Sequence, residues 1–123
     1  SSNTKAYHNL GSVYSQLVRY DESIDCYKKA LKLNPKSALT YLSLGAIYEE
    51  IGKYEQAIVN FENFLKYVPE GIAKEEKKEV KKKIIPGIRR KAKFRTKGMD
   101  IYYIKKGDKY YRAKKYNKAI KAY

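Results

Sequence analysis

Apolar and aromatic residues recur at spacings of three and four between Thr4 and Leu17, at Tyr7, Leu10, Val13, Tyr14 and Leu17. That spacing places them on one face of a helix, with Asn3 or Thr4 as its cap. A break near Val18 to Tyr20 precedes a second pattern, Ile24, Tyr27, Ala30 and Leu31, with Asp21 and Glu22 in its first turn, where the helix dipole favours acids. Asn34-Pro35 ends it, because proline disfavours helical geometry in the residue before it and cannot donate the next bond. The following segment repeats the plan. A helix over about Ala38 to Ile51 rests on Tyr41, Leu44, Ile47, Tyr48 and Ile51; Gly52 breaks it; a helix over about Tyr54 to Tyr67 rests on Ala57, Ile58, Phe61, Phe64 and Leu65, and Pro69 closes it. The pattern predicts two helical hairpins of equal length and an all-α fold.

The two segments are in register at 34 residues: Tyr41, Leu44, Gly45, Tyr48, Ala57, Phe61 and Pro69 fall on Tyr7, Leu10, Gly11, Tyr14, Ser23, Tyr27 and Pro35. A glycine inside a helix costs about 1 kcal/mol relative to alanine, so Gly11 and Gly45 imply close helix contact, with Ser23, Ala30 and Ala57 as small partners. After Pro69 the period fails. Gly71 to Ile85 reads as a charged helix with a thin stripe, Ile72, Ala73, Val80 and Ile84, ended by Pro86-Gly87; Ile88 to Lys97 reads as a second short helix. The pattern returns in Asp100 to Tyr123, where Tyr103, Gly107, Tyr110, Ala119 and Tyr123 stand 62 residues after their counterparts, with Lys106 in place of the leucine.

This spacing resembles the tetratricopeptide repeat, a helix-turn-helix unit of about 34 residues that stacks into a right-handed superhelix, an α-solenoid. The resemblance divides the chain into two repeats over 1–71 (4–37 and 38–71), a basic helical insertion over 72–99 that packs on the second repeat at Phe64, and a truncated third repeat over 100–123. It implies a non-catalytic scaffold or adaptor that holds a partner peptide or helix in a concave groove lined by the first helix of each hairpin. Carried over by position, the first repeat presents Lys5, His8, Ser12 and Gln16 to that groove, and the second Leu39, Leu42, Ala46 and Glu49. The third adds Ile101, Ile104, Asp108, Tyr111 and Arg112. Leu39, Leu42, Ile101 and Ile104 are the expected apolar anchors, and His8, Gln16, Glu49 and Arg112 the polar selectors. The set of amides and cations with which some family members clamp a chaperone's terminal carboxylate is incomplete, since Leu42 and Ser43 stand in its place.

Charge changes this picture in the second half only. The net charge is +15; residues 1–70 carry eight basic and eight acidic residues, and residues 71–123 carry twenty and five. The excess includes Lys77, Lys78, Lys81, Lys82 and Lys83, then Arg89, Arg90, Lys91, Lys93 and Arg95. Such a stretch binds an acidic protein, nucleic acid or an anionic membrane, or else is a solvated face. Fourteen tyrosines among these cations invite a base-stacking reading, but the repeat pattern places most of them as packing residues and leaves Tyr67, Tyr102 and Tyr111 unassigned.

Catalytic or cofactor chemistry finds no support. One histidine, His8, and one cysteine, Cys26, on different helices make neither a metal set nor a nucleophile with its base. Glu49-Glu50 and Glu75-Glu76 are adjacent and diverge on a helix, so neither is an acid/base couple. A chain that starts at Ser1 and stops inside a helical pattern at Tyr123 reads as a piece of a longer protein, expected in the cytoplasm, and its open third repeat is a candidate for self-association.

Overall fold

The computed structural model describes residues 2–93. The chain divides into two compact units, residues 1–88 and 89–123. The second is described over 89–93 alone, which is helical; the packing below belongs to the first. Among the described residues the fold is all-α: α1 (Ser2–Gln16), α2 (Tyr20–Leu33), α3 (Ala38–Glu50), α4 (Tyr54–Tyr67) and α5 (Lys74–Glu79), followed by a π turn (Val80–Ile84). Helices α1 with α2, and α3 with α4, form hairpins, and α2 packs against α3 to stack one hairpin on the next.

Each hairpin is closed by the same local device. Val18 and Gly52, 34 residues apart, both have left-handed backbone, with φ of 60° and 82°. The Arg19 N–H donates to Tyr14 O at 2.9 Å and the Val18 N–H to Ser15 O at 3.0 Å; Lys53 to Tyr48 and Gly52 to Glu49 repeat the pair at 2.8 and 3.1 Å. These are the two bonds that satisfy the last carbonyls of a helix ending in a left-handed residue. Helix α1 starts at Ser2, so Asn3 and Thr4 lie inside it rather than capping it. Helix α2 carries Asp21 and Glu22 at its start and Lys32 at its end, and α4 carries Glu55 and Lys66, both complementing the helix dipole. Asn34 and Val68 leave α2 and α4 in extended backbone ahead of Pro35 and Pro69.

The glycine reading is met at atomic distance. A Cβ on Gly11 would stand 2.8 Å from the Tyr27 ring, and one on Gly45 2.9 Å from the Phe61 ring. Ser23, fully buried, donates its hydroxyl to Gly11 O at 2.6 Å, and Ala57 is buried at the same position of the second hairpin. The core joins Tyr27, Leu44, Ile47, Tyr48, Ala57, Phe61 and Phe64 with Val80, Ile85 and Ile88. Leu44 and Ile47 are buried against the first hairpin, whereas Leu10 and Val13, their counterparts on α1, are 44 % and 51 % exposed.

Beyond α4 the structure corrects the sequence reading. Pro86 does not end a helix: residues 85–93 are helical and continue from the π turn. Proline lacks the N–H for the i−4 carbonyl, and its ring crowds that carbonyl. The preceding turn is widened so that the Ile85 N–H reaches Val80 O, five residues back, and the helix passes through the proline. The extra residue moves the apolar stripe by one position: Val80, Ile85 and Ile88 are buried, Ile84 is only half-buried, and Ile72 is exposed.

Two stability predictions follow from these contacts. Val18→Gly should stabilise the chain by about 0.5–1 kcal/mol, because a β-branched residue in left-handed backbone costs roughly 1–2 kcal/mol and glycine's extra unfolded-state freedom returns only part of that. Urea unfolding of the two proteins checks it. Gly45→Leu should cost about 1–3 kcal/mol by overpacking against Phe61, read as a lowered melting temperature.

Candidate functional site

Helices α1 and α3 run side by side in the same direction, and the residues between them line two clefts. The first, of about 390 Å³, is lined by Thr4, Lys5, His8 and Asn9 near the start of α1, by Asn34 and Ser37, and by Leu39 near the start of α3. The second, of about 310 Å³, is lined by Ser12 and Ser15 near the end of α1, by Ser43, Ala46, Ile47 and Glu50 of α3, and by Tyr20 and Tyr27. Lys5, His8, Ser12 and Ser15 form one helical stripe, and Leu39, Ser43, Ala46 and Glu50 another, so the two clefts are successive parts of one groove. A third cleft of about 280 Å³ is apolar: Ala38, Leu39 and Leu42 of α3 face Phe64, Val68, Pro69, Ile72 and Ala73, with Glu76 beside them. Leu39, 58 % exposed, is the wall that the apolar cleft shares with the first.

A polar seam underlies the first cleft. His8 Nδ1 lies 3.1 Å from the Thr40 hydroxyl, which is 2.8 Å from that of Ser37. Thr40 is fully buried, and the His8 ring packs at 5.1 Å on Tyr27. Burial holds the His8 imidazole below its ordinary pKa.

Two family patterns, each described as tetratricopeptide repeat, match the chain, one over residues 4–37 and the other over residues 26–59. The chain carries tetratricopeptide repeats. The first match coincides with the unit from α1 to the turn before α3, and the second runs from within α2 into α4. Comparison with curated proteins found no match. Tetratricopeptide repeats are generally protein-interaction modules.

Of the groove residues expected from sequence, Lys5, His8 and Leu39 meet in the first cleft, Ser12 and Ala46 in the second, and Leu39 and Leu42 in the apolar one. Leu42 is half-buried and packs against the core. Gln16 and Glu49 line none of the three. Ile101, Ile104, Asp108, Tyr111 and Arg112 lie outside the described residues, as do Arg95, Tyr102 and the whole of 100–123. Sequence reasoning missed Asn9, Asn34, Ser43 and Glu50; the stripe through Leu39 and Ala46 continues to Glu50 one residue later than expected. It also missed the apolar cleft, which needs the end of α4 folded against α3.

Among the tyrosines left unassigned, Tyr67 stacks on Tyr41 at 5.7 Å between ring centroids, and Tyr41 donates its hydroxyl to Pro35 O at 2.7 Å. Tyr67 is therefore a packing residue. Of the basic stretch, Lys78, Lys81, Lys82 and Lys83 are exposed around the π turn, Lys77 is half-buried, and Lys83 stands 3.9 Å from Glu79. Arg89, Arg90, Lys91 and Lys93 are exposed on the helical stretch of the second unit. Among the described residues no helix is long and apolar enough to cross a membrane.

The seam carries a pH prediction. Folding favours neutral His8, so the unfolded chain takes up the proton first, at the ordinary imidazole pKa. Stability should be highest above that pKa, fall as pH drops through it, and level off once folded His8 is also protonated. Urea midpoints at pH 8 and pH 5 check this, and His8→Gln should remove the part of the difference owed to the imidazole.

Proposed function

We propose that this chain is a non-catalytic scaffold or adaptor that binds a protein segment in the α1–α3 groove, anchored by an apolar side chain in the cleft behind Leu39. The observation that carries this reading is Leu39 itself. Leu39, 58 % exposed, stands over a cleft lined by Leu42, Phe64, Val68 and Ile72, so the apolar surface here is contiguous rather than scattered, the mark of a partner site. A partner's apolar side chain entering there would be surrounded by carbon, the arrangement in which a few buried anchors supply most of the binding energy. Peptides selected by display against the chain should lose at least about tenfold in affinity when Leu39→Asp and Leu42→Asp are combined, with the melting temperature monitored alongside. Unchanged affinity would sink the groove assignment.

The exposed lysines of the π-turn region favour a second reading, electrostatic binding of nucleic acid or an anionic membrane through residues 74–97. Lys78, Lys81, Lys82 and Lys83 lie within six positions, and among the described residues the one ion pair they make is that of Lys83 with Glu79. Binding of this kind weakens steeply between about 50 and 200 mM salt, whereas an apolar groove contact does not. Random RNA, random DNA and anionic vesicles, each titrated at both salt concentrations against the chain and a charge-reversed Lys81, Lys82 and Lys83 variant, separate the two readings.

A further inference from the structure

The two clefts of the groove differ in charge. The first is lined by Lys5 and by no acid; the second is lined by Glu50 and by no base. Their uncharged groups follow the same division. In the first cleft Asn9 and Asn34 bring amides, and the Asn34 Oδ1 already accepts the Lys36 N–H at 3.2 Å, so the donor half of that amide is the half left for a ligand. In the second, the hydroxyls of Ser12, Ser15 and Ser43, which accept as well as donate, stand with Glu50 and can complete the shell of an ammonium or guanidinium group held by its carboxylate.

We propose that the groove is polarised and selects an extended segment with an acidic residue seated at Lys5 and Asn9 and a basic residue seated at Glu50. The inference rests on the groove reading above and adds the partner's charge pattern and spacing. From Leu39 to Glu50 the helix advances about 16 Å at 1.5 Å per residue. An extended peptide covers that distance in about five residues, so the acid and the base stand about four to six positions apart. The apolar anchor lies beside the acid, because Leu39 borders both the cationic and the apolar cleft. Such a partner differs from one chosen by the net charge of +15, which would favour acids throughout.

The test uses the full 123-residue chain and synthetic peptides carrying one Glu next to a Leu, and one Arg at about three to eight positions' separation, each made in both chain orders. Fluorescence polarisation should give an optimum near five positions, where the peptide binds about fivefold tighter than at the shortest and longest separations, in whichever order the two charges come. Glu50→Lys should weaken the best peptide by about fivefold, and replacing its Arg with Glu should restore binding to that variant. Glu50 is exposed, so the variant's fold is checked by its unchanged melting curve. Affinity that rises with the number of acids and ignores Glu50→Lys would overturn the proposal, as would the absence of binding by every peptide at about 1 mM. Loss of binding on Leu39→Asp with no response to Glu50→Lys would overturn the polarity and leave the groove standing. Indifference to both variants would remove the two together.

Discussion

Each hairpin closes on an aromatic ring laid directly over a helical glycine, Tyr27 on Gly11 and Phe61 on Gly45, at distances that leave no room for a Cβ. Glycine in a helix interior weakens it by about 1 kcal/mol, and the burial of a whole ring more than offsets that loss. The contact fixes how closely the second helix of a hairpin lies on the first. With both hairpins closed alike, α2 meets α3 over Leu44 and Ile47, and α1 comes to lie beside α3 in parallel. The groove and the position of Leu39 are consequences of that spacing.

Between the hairpins the structure combines an apolar core with a narrow polar seam. Ser37, Thr40 and His8 satisfy one another where α3 begins, in a place where unpaired hydroxyls would be costly. The seam lies beneath the cleft that contains Lys5, so the residues that register one hairpin on the next also form part of the floor of the proposed binding surface. On the proposed reading, stability and recognition are joined at His8.

How much of this was legible in the sequence depended on how local the cause was. The bounds of α4, the breaks at Gly52 and Pro35, and the close approach at Gly11 and Gly45 are set by residues within one hairpin, and all were readable. The first turn of α1 was misread because Asn3 and Thr4 are good caps that the structure places inside the helix. The stripe after Pro69 was misread for a geometric reason. A reading at 3.6 residues per turn pairs Val80 with Ile84, but the π turn inserts a residue and pairs it with Ile85. The same one-residue precision separated Glu49, expected in the groove, from Glu50, which lines it. The apolar cleft depends on Val68 and Ile72 returning to α3, a tertiary event that periodicity does not record.

The unequal cover of equivalent residues has a dynamic consequence. Leu44 and Ile47 of α3 are sealed, while Leu10 and Val13 of α1 remain largely in water. Segments with less apolar cover open locally at lower cost than sealed ones, so the amides of α1 should exchange with solvent ahead of those of α3. The two walls of the groove differ in cover, the one that holds Lys5 and His8 having less of it than the one that holds Leu39.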